Sequence, residues 1–417
     1  MGEIETGKIE EKIEEKTEEK IEEKAEEVIY EVTEEDVERY SRGLFMSKRF
    51  KTILIVGAVV LIIALIYGLA NRSAGYSGYD VITSIDKNDN LAVNYQVTEK
   101  GIIRYSKDGA SFTTDLKEIE WNQAFEIGNG KVVSCEDFMA IGDIGSNSIR
   151  IFNSNGQVGA LTTMTPIVDL AVARQGVVYA VLSNNNENYI DSYDSAGNAL
   201  TSIKASIDKT GYPLRIALSN DGTKLLVGYL VFSDKGVSTR LIFYNFSDAG
   251  KSEIDNIVGE YDYDEIFGQL AFIDNDTIVA YGEKRVLIIS MRSKPQILTE
   301  VALESEIKSI FYNDEYIGFV ISNEKDEESD DAYKLVIYTA SGREYADATF
   351  DYGYDKISCS GTEILLYNSG SCCIYDWHAN EKFSYEFDEP IEALMPSASR
   401  GRYILVTEDK ISEITFR

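Results

Sequence analysis

The sequence predicts an all-β fold made of repeated small sheets, and three observations carry that expectation. From Val81 onward, short β-branched and aromatic runs alternate with turns rich in Gly, Asn and Asp, which is the pattern of successive strands. Proline is scarce, with 5 in 417 residues, and no long segment past Val81 has the 3.6-residue apolar period of a helix. An apolar strand that ends in an aromatic residue or Ile and runs into a turn recurs eight times.

The instances are IIRYSKDG (102–109), IRIFNSNG (149–156), IDSYDSAG (190–197), LIFYNFSDAG (241–250), LIISMRSK (287–294), LVIYTASG (335–342), CIYDWHAN (373–380) and ISEITFR (411–417). Taking Tyr105, Phe152, Tyr193, Tyr244, Ile289, Tyr338, Tyr375 and Thr415 as equivalent gives spacings of 47, 41, 51, 45, 49, 37 and 40 residues. A period of about 40 to 50 residues is that of β-propeller blades, so the expectation is an eight-bladed propeller. Two further strands precede most marks, such as IVDLAVA (167–173) with VVYAVLS (177–183), or LRIALS (214–219) with KLLVGYLVF (224–232). An outer fourth strand follows, such as SFTTDL (111–116) or YADATF (345–350). Radially stacked sheets bury both faces, which accounts for inner strands that are apolar throughout. The last unit stops after its third strand, and the first begins at Val81. Ser77 to Asp80, or residues beside them, are expected to supply the missing outer strand, because an open ring leaves an unpaired edge. Seven blades is the alternative count, since 121–142 holds an ambiguous number of strands.

Ahead of this domain lies Thr52 to Ala70, TILIVGAVVLIIALIYGLA, nineteen residues without a charge. At about 1.5 Å per residue a helix of that length covers the roughly 30 Å hydrocarbon core of a bilayer. It is apolar all round, unlike a helix packed on one face. Arg39, Arg42, Lys48, Arg49 and Lys51 precede it and only Arg72 follows closely, a bias that keeps the N-terminal side in the cytoplasm. The expected organisation is a cytoplasmic tail (1–51), one transmembrane helix (52–70), a linker (71–77) and an extracellular propeller (78–417), in a single-pass protein of the cell membrane. The rival is a cleaved signal peptide, whose apolar core would be about 7 to 15 residues and close to the N-terminus.

The tail repeats KIEE-like units over residues 8–29. A period of four drifts around a 3.6-residue helix, so no apolar stripe forms and no heptad is present. A solvated, partly helical arm is expected, with a segment that folds on a partner as the sharper alternative. Residues 1–51 hold 17 acids and 10 bases, a net −7, so the remainder carries −24 of the total −31. So acidic a surface repels nucleic acid, which is not an expected partner.

Four cysteines, Cys135, Cys359, Cys372 and Cys373, are too few for a disulfide scaffold. Cys372 and Cys373 point to opposite faces of one strand. Cys359 lies one strand away, roughly 9 to 10 Å, beyond disulfide reach. Four free, buried thiols are expected. The single histidine, His378, excludes any multi-His metal site, and excludes Ser-His-Asp or Cys-His catalysis that does not use it.

On the strand rhythm and the IxxY-x-x-x-G turn, residues 78–417 resemble blades of the WD40-like and quinoprotein-like superfamily. The Gly-His and Trp-Asp signatures of true WD40 repeats are absent, Asp376-Trp377 having the reverse order. The tryptophan-rich pattern of quinoprotein dehydrogenases is absent too, with only Trp121 and Trp377. The layout of charged tail, single anchor and outer propeller is similar to that of a family of membrane-anchored propeller proteins from Gram-positive anaerobic bacteria. That family has no assigned activity, so the resemblance implies no site residue, catalytic role or cofactor.

No catalytic, cofactor or metal site is assigned from the sequence. Asp86-Lys87-Asn88-Asp89-Asn90 starts like a Ca²⁺ loop, but positions six and twelve are Leu91 and Val97 instead of Gly and Glu. It reads as an Asx-rich turn. Glu324 to Asp331 holds six acids in eight residues and reads as a solvated loop, with cation or basic-partner binding as the alternative. The marker aromatics read as core, while 27 tyrosines leave some to face partners. The function expected is a non-catalytic binding or scaffold module in the cell envelope. Its loops would meet a protein or polysaccharide. The alternatives are a tether that signals through the tail, and a hydrolase or lyase of an envelope polymer.

Overall fold

A computed structural model describes residues 78–417 apart from 88–92, 115, 185–186, 235, 324–330 and 398. The tail, the apolar span 52–70 and the linker lie outside the described residues. Among the described residues no helix is long and apolar enough to cross a membrane. The chain divides into two units, Met1–Ala74 and Gly75–Arg417, and the second is an eight-bladed β-propeller of eight antiparallel four-stranded sheets.

Blade 1 comprises Asn94–Thr98, Gly101–Ser106, Gly109–Thr113 and Trp121–Ala124, and blade 2 runs from Gly130–Cys135 to Gly156–Thr162. The ambiguous stretch 121–142 therefore ends one blade and begins the next, which settles the count at eight rather than seven. Blades 3 to 7 begin at Ile167–Val172, Tyr212–Leu218, Phe267–Phe272, Ile307–Tyr312 and Lys356–Cys359. Blade 8 takes Ile391–Pro396, Tyr403–Thr407 and Lys410–Phe416 from the C-terminal end and Tyr79–Asp86 from the other.

Closure by the segment near Asp80 is as the repeat predicts, but longer. Seven residue pairs run from Tyr79 opposite Phe416 to Asp86 opposite Lys410. Gly78 and Arg417 exchange backbone hydrogen bonds beyond them. Val81 thus belongs to blade 8, and blade 1 begins at Asn94.

Two marks of the repeat need correction. Tyr105 lies on the second strand of blade 1, and SFTTDL covers its third strand instead of its fourth. Phe112 on that third strand, 1% exposed, packs toward blade 2 in the same cluster as Phe152, so it is not the mark's counterpart. In blade 8 the mark is the fully buried Ile414, one residue before Thr415. In blades 2 to 8 the pairing of third and fourth strands shifts register beside the mark, for example between Ile151 and Phe152 and between Ile374 and Tyr375. Such a bulge sharpens the local twist of the outer strand. It is the structural basis of the strand-then-turn signature.

The apolar core is divided into eight clusters, each between two neighbouring blades. Blades 4 and 5 enclose Phe243, Phe267 and Leu270, blades 7 and 8 enclose Ile374, Phe383 and Phe416, and blades 8 and 1 enclose Ile404, Ile411 and Ile102. Second strands are covered on both faces, so Val178–Ser183 and Glu363–Tyr367 are buried at every position. Polar groups also join the inner strands. The buried Asp169 of blade 3 receives Lys131 Nζ from blade 2 and the Ile216 N–H of blade 4 at 3.1 Å.

All four cysteines are free; Cys372 and Cys373 are buried, whereas Cys135 and Cys359 are half-buried rather than buried. Burial pushes the thiols of Cys135 and Cys359 up to about 11 and those of Cys372 and Cys373 up to about 12. Raised thiol pKa values leave almost no thiolate near pH 8. Native protein at pH 8 is therefore expected to resist iodoacetamide. Denatured, unreduced protein should titrate four thiols, and a count near zero would contradict the strand register.

Candidate functional site

Four antiparallel strands per blade place the first and third turns of every blade at one end of the ring, here termed the top. The second turns and the links between blades lie at the bottom. Gly78 and Arg417 meet at the top.

The top carries a cleft of about 450 Å³ between blades 7 and 8. One wall is the first turn of blade 7, Ser360 to Glu363, and the other is the first turn of blade 8, Pro396 to Tyr403. The second wall ends in a chain reversal in which Ser397 N–H donates to the Arg402 carbonyl at 2.8 Å and Arg402 N–H to Ser399 at 3.1 Å. Gly401 takes a φ of +72° there, which glycine adopts without steric cost. Hydroxyls of Ser360, Thr362, Ser397 and Ser399 line the space with Arg400 and Arg402.

The carboxylates around the cleft are neutralised from within. Glu363, the one acid on the described wall, is buried and paired with Lys382 Nζ at 2.7 Å. Behind the second wall, the buried Glu413 accepts from Ser397 Oγ and from Arg402 Nη1, both at 3.0 Å. Arg400 is exposed on the second wall.

An aromatic platform adjoins the first wall. Trp377 Nε1 donates to the Ser360 carbonyl at 3.1 Å, and its ring stacks on Tyr316 with centroids 5.1 Å apart. Tyr316 lies 4.8 Å from Tyr345, and Tyr345 Oη is 2.9 Å from Nε2 of the exposed His378. The hydrogen bond to Tyr345 pushes the Tyr316 phenol up to about 12, with burial adding to it. His378 is set by its turn. Asp376 Oδ1 accepts from the N–H groups of His378 and Asn380 at 2.8 and 3.0 Å. Ala379 takes a φ of +60° where the equivalent turns of blades 3 and 6 use Gly197 and Gly342.

The stretches singled out in the sequence fall elsewhere. Asp86 ends the closing strand opposite Lys410, and Lys87 N–H donates to the Asp409 carbonyl at 2.6 Å; residues 88–90 lie outside the described set. The acidic run 324–330 also lies outside it; Asp331 beside it accepts from Thr349 Oγ1 at 2.6 Å. The marker aromatics Phe152, Tyr193, Tyr244, Tyr338 and Tyr375 are core, whereas Tyr105 is half-buried. Among the described residues no group of three His, Cys, Asp or Glu is placed to hold a metal. The cleft was not found from sequence; its only trace is two arginines in SASRGR (397–402) within a strongly acidic chain.

Fold and site together define a closed eight-bladed propeller with a polar cleft at one end. The chain belongs to a family of unknown function, DUF5711, which matches residues 70–416. No curated protein matches it. Among solved structures, BamB from Moraxella catarrhalis is 14% identical, with 81% of this chain and 100% of that chain covered and a TM-score of 0.48. Raptor from Chaetomium thermophilum is 10% identical, with 83% and 29% covered and a TM-score of 0.46. Hydrazine synthase from Kuenenia stuttgartiensis is 10% identical, with 75% and 100% covered and a TM-score of 0.45. All three TM-scores lie below 0.5, so nothing said of those proteins transfers to this chain.

Proposed function

We propose that this protein is a single-pass membrane protein whose propeller stands outside the cell as a non-catalytic binding module, meeting a protein or polysaccharide of the envelope through its loops. The observation that carries the reading is the top cleft. Its carboxylates are tied into ion pairs, and what it offers a ligand is hydroxyls, arginines and a neighbouring aromatic surface. That inventory suits recognition, since no carboxyl group on the described walls is free to serve as a general acid or base. The buried acids elsewhere are committed in the same way: Glu265 holds the Lys284 N–H and Arg285, and Asp169 holds two backbone N–H groups and Lys131. Membrane attachment is argued from the apolar span 52–70 and the cations before it.

Two measurements test this reading. Protease added to intact cells should remove the propeller and spare the tail; loss of the tail alone would reverse the topology. Full-length protein should retain an envelope component from an extract without altering it. Conversion of that component into product would make the protein an enzyme instead.

A further inference from the structure

The net charge of −31 makes the composition of the cleft unexpected. The cleft between blades 7 and 8 displays two arginines and a single carboxylate already bound to Lys382. Beside it stand Tyr316, Tyr345 and His378, partly or fully exposed; Tyr316 and Tyr345 pack at a tilt of 41° with centroids 4.8 Å apart, and Tyr345 is hydrogen-bonded to His378. Trp377 ties the two together by donating to Ser360 on the cleft wall.

From this arrangement we infer that the top of blades 6 to 8 is a binding site for a glycan bearing isolated acidic sugars. The inference rests on the binding-module reading and names its ligand. Each part of the site matches one property of such a molecule. Hydroxyls on Ser360, Thr362, Ser397 and Ser399 both donate and accept, as ring hydroxyls of a sugar require. The partly exposed rings of Tyr316 and Tyr345 give rigid contact area at low entropic cost, suited to the apolar face of a pyranose. Arg400 brings a planar fork of donors that fits a carboxylate in bidentate fashion. Arg402 is held by Glu413, so Arg400 makes the charge contact. An open cleft between two turns admits a chain running through it. Densely charged polyanions are disfavoured, because the acidic body of the protein repels them at every other contact.

The test uses the full-length protein and three probes measured by calorimetry: hyaluronan tetrasaccharide, with a carboxylate on every second sugar, the neutral chitotetraose, and heparin. Hyaluronan tetrasaccharide is expected to bind at least tenfold more tightly than chitotetraose, and heparin no more tightly than hyaluronan. Arg400→Gln should remove that tenfold preference and leave the chitotetraose affinity and the melting temperature unchanged, since Arg400 is exposed. Tyr345→Ala should weaken both tetrasaccharides several-fold. Equal binding of the acidic and neutral probes, no binding of either, or full hyaluronan binding by Arg400→Gln would overturn the inference. The binding-module reading is judged separately, by whether wild type retains a component from envelope extract. If it does while the tetrasaccharides fail, the glycan assignment falls and the module stands. If wild type retains nothing, the module reading falls.

Discussion

Replacing Tyr79–Asp86 by a Gly-Ser segment of equal length will destabilise the whole propeller and drive it to aggregate. The strand supplies seven residue pairs to Lys410–Phe416. It also supplies Tyr79, whose ring meets Tyr385 edge-on at 5.5 Å and Phe416 at 6.5 Å. Without it Phe416, now 7% exposed, and the fully buried Ile414 would face water. Each large apolar side chain returned to solvent costs about 1.5 to 3 kcal/mol, so the total is on the order of 5 kcal/mol or more. Unpaired N–H and C=O groups along the third strand would add a template for edge-to-edge pairing. Urea unfolding followed by tryptophan emission, with light scattering for the aggregate, measures both effects. A midpoint equal to that of wild type would mean that the ring holds without its closing strand.

That closure was legible in the sequence because the argument behind it is topological. A unit that stops at its third strand leaves an edge, and the only unassigned chain lay beside the first unit. The repeat was legible because a strand and a bulge recur in blades 2 to 8, with a turn rich in Gly, Asn or Asp after them in blades 2, 3, 4, 6 and 7. Blade 1 misled at one hairpin. Its second turn, Ser106-Lys107-Asp108-Gly109, has the letters of third turns elsewhere, such as Asn153-Ser154-Asn155-Gly156. Turn chemistry reports a chain reversal without saying which reversal it is. The one-residue error at Thr415 has a related cause, since a side-chain period of two flips the face when the register slips.

The cleft was illegible for a different reason. Its walls, around Ser360 and Ser397, are 37 residues apart and meet only because adjacent blades present equivalent turns side by side. Neither wall carries a motif, and Ser, Gly and Thr in a turn satisfy turn geometry before they suggest a ligand. His378 drew notice only as the single histidine. Its position beside Tyr345 depends on the packing of blade 7 against blade 6, which no local pattern encodes.

Asp169→Ala is expected to cost about 2 to 4 kcal/mol, because it removes an acceptor that several inner-strand groups share. Asp169 is 2% exposed. Its carboxylate takes its own strand's Leu170 N–H at 3.0 Å, the Ile216 N–H of blade 4 at 3.1 Å and the Lys131 ammonium of blade 2. The lysine is 41% exposed and regains water after the substitution, so most of the loss comes from the two N–H groups and the vacated space. Asp169→Asn keeps an acceptor of the same shape and should cost less than half as much. Lys131→Met removes only the cation and should cost less than Asp169→Ala. A double-mutant cycle between positions 131 and 169, read by urea unfolding, isolates the ion pair from the backbone contacts. If Asp169→Ala and Lys131→Met are equally costly and the double variant loses no more than either, the ion pair carries the stability. If Asp169→Ala costs far more, the N–H groups from blades 3 and 4 carry it, and the carboxylate acts chiefly as a clamp between inner strands.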